Sequence, residues 1–334
     1  MISHKQIKLR FASLLLLFIF IFILSLSVGY ANSSLGDSLA VFGGSKSHLM
    51  LLIITKIRLP RIIACILGGA SLSLAGVLLQ TLTKNPLADS GILGINTGAG
   101  LAVAFAVGLT DFSDPAAVGM TPIFAMLGGW TTIMAVYLIS RKKNHGISPV
   151  RLIVTGVGVS SMLSGVMVTI ISRLDDYKMS YIVEWLSGKV TGGNWTMLGL
   201  FAPVLILLWV LTYSRSQALN IMNLNEQTAL ALGLQLQKER LYILMLSTAL
   251  AAFSVILVGN ITFVGLVAGH ITRRIFGSNH HLVLPASVFV GILILLSADT
   301  IGRVLLVGTG IPTGLVVSVI GAPYFLYLML KTAA

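Results

Sequence analysis

The sequence predicts an all-α integral membrane protein with about ten transmembrane helices, and two observations support that prediction. Of 334 residues, 56% are hydrophobic and 10% are charged, whereas a soluble domain carries about 25% charged residues. Such a chain could not cover the surface of a water-soluble fold, but a bilayer surrounds apolar faces with lipid. The second observation is a series of charge-free runs. About 20 helical residues cross a hydrocarbon core about 30 Å thick.

Nine runs lack Lys, Arg, Asp and Glu, and they predict the spans in order. The seventh run has 32 residues, which is too long for one ordinary span. Gly259 and Asn260 lie near its middle, so we divide it into a helix over about 240–259 and a short helix over about 263–275. The count becomes ten, with nine as the alternative if the short piece is re-entrant. The runs are 11–36, 62–83, 90–110, 118–140, 152–172, 190–214, 241–272, 282–298 and 304–330.

The distribution of basic residues predicts the orientation. With the N-terminus inside and ten alternating spans, the inner segments hold 14 of the 22 Lys and Arg residues. The outer segments hold seven of the ten acids, including Asp37, Asp111 and Asp114. Because short cytoplasmic loops are enriched in Lys and Arg, we expect one transmembrane domain, residues 1–334, with both termini cytoplasmic.

The start of the chain has two interpretations. A basic stretch, an apolar run and small residues near Gly29 are typical of a secretory signal. The apolar stretch 11–28 is long for a signal core, so we favour a retained first helix.

Several function classes lack their motifs. The sequence contains no Gly-x-x-x-x-Gly-Lys-Ser/Thr motif and no catalytic Ser/His/Asp pattern, so we predict neither ATP binding of that kind nor an enzyme. The one cysteine, Cys65, excludes an intrachain disulfide, and the adjacent His280 and His281 are a poor chelating pair. We therefore predict no metal site and no cofactor. The net charge of +12 is spread over short gaps between apolar runs, which does not favour a nucleic-acid partner.

Charged residues inside the predicted spans are too scarce for a secondary transporter, which usually keeps acids or histidines at depth. The candidates are His270 and Asp299, both near predicted span ends. A membrane enzyme or receptor would need a polar constellation, and the sequence shows none. A passive pathway driven by a separate ATPase explains both absences.

Short motifs lie in a fixed order along the chain. They are Arg58-Leu-Pro-Arg61, Gly68-Gly69-Ala70, Ala75-Gly76, Gln80, Asn85-Pro86-Leu87-Ala88, Gly94, Gly98-Ala99-Gly100, Ala229-Leu-Ala-Leu-Gly233, Ala298-Asp299 with Arg303, Ile311-Pro312-Thr-Gly314 and Gly321-Ala322-Pro323-Tyr324-Phe325. In order and spacing this set resembles the FecCD permease family of type II ABC importers, which also include the vitamin B12 transporter.

The resemblance implies a ten-helix, vitamin B12 permease-like bundle in the bacterial plasma (inner) membrane. Two such permeases, identical or related, would pair around a pathway. Two cytoplasmic ATPase subunits would dock below, and an extracellular binding protein or lipoprotein would deliver the cargo. An iron-siderophore complex is the expected cargo, with haem and cobalamin as alternatives.

The resemblance also implies roles for residues. Arg58, Arg61 and Arg303 would meet acidic residues of the binding protein, although Arg58 and Arg61 could instead anchor a helix end at the interface. The turn formed by Asn85, Pro86, Leu87 and Ala88 would help to form a cytoplasmic gate, although it could be an ordinary turn.

The inner segment 215–240 is expected to be the coupling loop. It would hold a short helix from Glu226 that ends at Gly233, and the resemblance makes this helix the contact with the ATPase. The alternative is a surface connector. The expected contacts are Glu226, Gln227, Thr228, Ala229, Leu232 and Gly233.

Overall fold

The computed structural model describes residues 3–28, 51–110, 115–141, 147–190, 193–305 and 311–332, and in those ranges every regular element is a helix. Residues 29–36 of the predicted first span and 306–310 of the predicted tenth span lie outside these ranges, as do Asp37, Asp111 and Asp114. Thirteen α-helices are described: α1 (His4–Ser27), α2 (Leu59–Thr83), α3 (Ile95–Leu109), α4 (Pro115–Ser140), α5 (Pro149–Ile171), α6 (Asp176–Leu186), α7 (Trp195–Ser214), α8 (Ser216–Met222), α9 (Glu226–Ala231), α10 (Leu236–Val258), α11 (Val264–Phe276), α12 (His280–Leu305) and α13 (Thr313–Thr332).

Ten of these helices match the ten predicted spans. Eight helical segments of the described chain are long and apolar enough to cross a membrane: α1, α4, α5, α7, α10, α12, α13 and α2 with the π-helical turn before it. The other two, α3 and α11, have 15 and 13 residues, which correspond to lengths of about 22 and 20 Å. The predicted division of the long seventh run is confirmed, because α10 ends at Val258 and α11 begins at Val264.

One expectation needs correction. The third span does not begin at residue 90, because 85–94 forms turns and Gly94, at a φ of 82°, precedes the first turn of α3. The segment after α5 contains the short helix α6, with Asp175 accepting a hydrogen bond from the Lys178 backbone N–H at 2.9 Å. His280 and His281 lie in the first turn of α12.

The centre of the bundle is α2, which packs against α10, α11 and α12. In the most apolar 18-residue stretch of each span, 89% of the residues are buried in α2 but only 11% in α1 and 6% in α5, which turn their apolar side chains outward. Small residues allow this close packing. A Cβ placed on Gly76 would lie 2.4 Å from the Cα of Gly265, and one on Gly69 would lie 2.6 Å from the Gly291 carbonyl oxygen. Lipid offers no hydrophobic drive between helices, so close backbone contact holds the centre together.

The two short spans, α3 and α11, begin inside the bundle. Gly265, in the first turn of α11, contacts Gly76, which lies about 10 Å before the end of α2. The break before α11 contains Gly259 and Phe263, with φ values of 76° and 68°. Asp89, from the turns that precede α3, accepts a hydrogen bond of 3.1 Å from the Phe263 backbone N–H. The two breaks in the helical bundle are therefore bonded to each other.

Candidate functional site

A buried ion cluster lies at the predicted outer end of the bundle. The Asp299 carboxylate is fully buried, and its Oδ1 is 2.8 Å from Nη2 of Arg61. Its Oδ2 is 3.0 Å from Nε of Arg303, four residues later on α12. Thr313, the first residue of α13, donates its hydroxyl to Asp299 Oδ1 at 3.0 Å. One carboxylate thus joins the start of α2, the end of α12 and the start of α13.

Two arginines of the same region hold the end of α1. Arg303 donates to the Ser25 hydroxyl at 2.6 Å, and Arg58 donates to the Leu26 carbonyl at 2.6 Å. The last carbonyls of a helix lack intrahelical partners and carry partial negative charge. A guanidinium placed there supplies hydrogen-bond donors and a positive charge to these carbonyls. Arg58 and Arg303 therefore have structural roles within the chain.

The three arginines predicted to dock a binding protein therefore differ in exposure. Arg58 and Arg303 are buried, at 3% and 7% of their maximum exposure, while the side chain of Arg61 is 29% exposed. The sequence interpretation missed Asp299 as the acid that pairs with Arg61 and Arg303. The i, i+4 spacing of Asp299 and Arg303 was the available signal, because such residues share a helix face.

The predicted coupling segment forms two short helices, α8 and α9. Asn225 caps α9 by accepting the Thr228 backbone N–H at 2.7 Å, and Gly233 follows the helix with a φ of 81°. Glu226 pairs with the buried Arg240, which also donates to the Ile147 carbonyl at 2.9 Å. This ion pair fixes α9 to the first turns of α10. Of the six predicted ATPase contacts, Ala229 is buried, and the exposed residues are Glu226, Gln227, Thr228, Leu232 and Gly233.

A buried polar network lies above α8 and was not found from the sequence. His280, fully buried, lies 2.9 Å from the Thr81 hydroxyl and 2.9 Å from Oδ1 of Asn220 on α8. Arg273, near the end of α11, donates to the Thr81 hydroxyl at 3.0 Å and also to Gln80. The network joins α8 to α2, α11 and α12. No sequence spacing relates these residues, because four separate helices contribute them.

The predicted gate turn is closely linked to this inner region. Asn85 Oδ1 accepts the Leu87 backbone N–H at 2.9 Å, and its carbonyl accepts the Ala88 N–H at 3.1 Å, as in an Asx-turn. Lys84, which ends α2 with a φ of 50°, donates through Nζ to the Leu224 carbonyl at 2.7 Å. Leu224 immediately precedes the cap of α9, so the gate turn and the coupling segment are one hydrogen bond apart.

Comparison with known proteins gives a consistent result along the whole chain. Residues 16–331 match the FecCD transport family. The Bacillus subtilis (strain 168) iron(3+)-hydroxamate import system permease protein FhuG is 38% identical over 298 residues, 88% of each chain. The Fe(3+)-citrate import system permease protein YfmE of the same strain is 38% identical over 283 residues, 84% of this chain and 83% of that one.

Solved structures agree with the sequence comparison. A metal-chelate-type ABC transporter in an inward-facing conformation superposes with a TM-score of 0.81 at 30% identity, covering 98% of this chain and 100% of that one. PsaBC from Streptococcus pneumoniae, in complex with Fab, gives a TM-score of 0.54 at 17% identity, covering 86% of this chain and 93% of that one. The second likeness shows the fold alone.

The first prediction concerns the buried carboxylate. Asp299→Ala removes the countercharge of a buried arginine, and breaking a buried pair in this way costs about 3–5 kcal/mol of stability. Glu184→Ala is the matched control, because Glu184 pairs with Lys189 at 2.6 Å with both side chains about half exposed, and such pairs contribute at most about 1 kcal/mol. Thermal unfolding of the purified chains in detergent should show a large loss of stability for Asp299→Ala and almost none for Glu184→Ala. Equal losses would contradict the assigned role of Asp299.

Proposed function

The chain belongs to the FecCD transport family, and from this premise we propose that it carries a ferric siderophore across the bacterial inner membrane. It is a multi-pass permease subunit of an ABC importer, and the match over residues 16–331 is the observation that supports the proposal. The names of the relatives refer to iron(3+)-hydroxamate and Fe(3+)-citrate. A ferric chelate is therefore favoured over haem or cobalamin as the cargo.

Permeases of this kind work with other subunits. Permease subunits of ABC transporters are not themselves catalytic, and the ATPase is a separate subunit; they function with a second permease, ATPases and a binding protein. For this chain we propose two cytoplasmic ATPase subunits below α9 and an extracellular binding protein above the buried ion cluster of Asp299, Arg61 and Arg303. The second permease is an identical copy or a related chain.

Docking of the binding protein is proposed to depend chiefly on Arg61. Its guanidinium is bonded to Asp299 through Nε at 2.9 Å and through Nη2 at 2.8 Å, yet its side chain keeps 29% exposure. Charges at the rim of an interface act mostly on the rate of encounter. Arg58 and Arg303 support this surface from inside by fixing the end of α1.

Coupling is proposed to run from α9 to the gate turn. An ATPase bound to the exposed side of α9 would move a segment that is anchored by the Glu226–Arg240 pair. The Lys84–Leu224 hydrogen bond would pass that movement to the turn 85–88, and the Asn220–His280 contact would pass it to α12. The connection needs no charged group within the lipid, which agrees with the scarcity of such groups in the spans.

The function is tested by uptake of labelled compounds in cells with and without the gene. The panel holds catecholate, hydroxamate and citrate chelates of iron, with haem and cobalamin. We expect loss of one ferric chelate, restored by the gene and abolished by ATP depletion. Loss of cobalamin or haem uptake alone would replace the cargo, and uptake that survives ATP depletion would contradict the importer mechanism.

Docking is tested by charge reversal at Arg61. Arg61→Glu should slow association of the purified binding protein with the reconstituted transporter by about tenfold at low salt, with a smaller effect at high salt. Arg173→Glu is the control, since Arg173 is an exposed basic residue on the same predicted side. Arg61→Lys keeps the charge and should retain most of the rate. Equal rates for Arg61→Glu and Arg173→Glu would exclude the docking role.

Coupling and gating are tested together with single cysteines in a Cys65→Ala background. Thr228→Cys should crosslink to the ATPase in the assembled complex, because Thr228 is on the exposed side of α9. Leu87→Cys should change its rate of maleimide labelling when ATP is added. Arg151→Cys, at an exposed position in the first turn of α5, should do neither. A Thr228→Cys variant that does not crosslink removes the coupling assignment, and ATP-independent labelling at Leu87→Cys removes the gate.

A further inference from the structure

An apolar cleft of about 400 Å³ lies between α1, α11, α12 and α13. Among its described lining residues Ser297 alone has a polar side chain. Leu14, Leu17 and Ile21 line it from α1, and Ile271 and Ile275 line it from α11. The cleft includes no residue of the proposed gate turn 85–88 and none of the buried ion cluster.

The cleft runs along the helix axes. Its lining on α1 extends from Leu14 to Ile21, a rise of seven residues, and its lining on α11 extends from Val267 to Ile275, a rise of eight residues. At 1.5 Å per residue these distances are about 10 and 12 Å. An acyl chain is linear and apolar, so an apolar cleft of this length can hold part of one hydrocarbon chain.

One end of the cleft is cationic. Arg10 lies one turn before Leu14 on the same face of α1, and its guanidinium donates to the Ile275 carbonyl. Arg274, the neighbour of Ile275, is exposed. The four helices that form the cleft contain a single acid, Asp299, near the other end of α12. The contact with Ile275 uses one of the five N–H donors of the Arg10 guanidinium.

We propose that this cleft binds an anionic phospholipid of the inner leaflet. One acyl chain lies along the apolar walls between α1 and α11. The phosphate lies at Arg10 and Arg274, since guanidinium groups bind phosphate oxygens in a bidentate manner. Anionic lipids of the cytoplasmic leaflet are drawn to basic residues beside a transmembrane helix. The predicted orientation puts the Arg10 end of α1 on that side.

The lipid would join two parts of the bundle that differ in packing. Few residues of α1 are buried, whereas α11 packs against the central α2. Besides the Arg10–Ile275 contact, Phe11 and Phe276 meet at the same end, with ring centroids 4.7 Å apart. An acyl chain would continue this contact between α1 and α11 further into the bilayer.

The site is tested by native mass spectrometry of the detergent-purified full chain. Phosphatidylglycerol and phosphatidylcholine with the same acyl chains are titrated separately. We expect one phosphatidylglycerol to bind per chain more tightly than phosphatidylcholine. Arg274→Gln should weaken phosphatidylglycerol binding about fivefold, and the double variant Arg10→Gln/Arg274→Gln about 25-fold. Arg151→Gln, an exposed inner basic residue away from the cleft, should bind like the unaltered chain.

A cleft-filling variant tests the position of the acyl chain. Ile294→Phe adds volume at a lining residue and should weaken binding of both lipids without changing the preference for phosphatidylglycerol. Equal affinity of the unaltered chain for the two lipids would overturn the proposal, as would equal losses in Arg274→Gln and Arg151→Gln. Displacement of the lipid by inorganic phosphate would indicate an anion site instead. A disulfide between Leu17→Cys and Ile320→Cys chains would indicate that a second copy fills the cleft.

Discussion

The absence of water inside a bilayer requires every backbone polar group there to find a partner within the protein. The chain leaves the helical pattern at two places within the bundle, before α3 and before α11, and side chains from the first region bond backbone groups of the second. Asp89 from the first accepts the backbone N–H of Phe263 in the second, and the side-chain amide of Asn96 approaches the Ile261 carbonyl at 3.5 Å. These two bonds satisfy backbone groups of the break before α11, and so allow that helix to begin inside the bundle.

Close packing around α2 gives the molecule a rigid centre and a lipid-facing periphery. Glycines at Gly69 and Gly76 allow backbones to touch where any larger side chain would meet main-chain atoms. The many exposed Leu, Ile and Val residues of α1, α5 and α13 would be a liability in a soluble protein, but in a bilayer they face lipid. The apolar cleft beside α1 is the place where a lipid could fill space that the helices leave open.

The two ends of the bundle use charge differently. At the predicted outer end, Asp299 is fully buried between Arg61 and Arg303, and Arg61 keeps part of its side chain exposed. At the predicted inner end the charges hold the short helices of the predicted coupling segment, through Glu226 with Arg240 and Lys84 with the Leu224 carbonyl. Both arrangements keep ionised groups near the ends of the spans, where desolvation costs least. Permease subunits of ABC transporters work with a separate ATPase subunit, so the proposed mechanism does not require either charge cluster to couple transport to an ion.

The sequence alone determined the helical class, the ten spans, the division of the seventh run and the family, because hydrophobic length and local motifs are properties of consecutive residues. It also predicted the α9 helix and its end at Gly233, since caps and glycine stops are local. Only the tertiary structure decided that Asp299 binds Arg61 across 238 positions, that His280 meets Thr81 and Asn220, and that Asp89 caps α11. These contacts join helices distant in the chain, and their geometry depends on how glycine pairs such as Gly76 and Gly265 let those helices approach. Side-chain burial, and with it the different exposure of the three arginines, follows from that packing and cannot be seen in residue spacing.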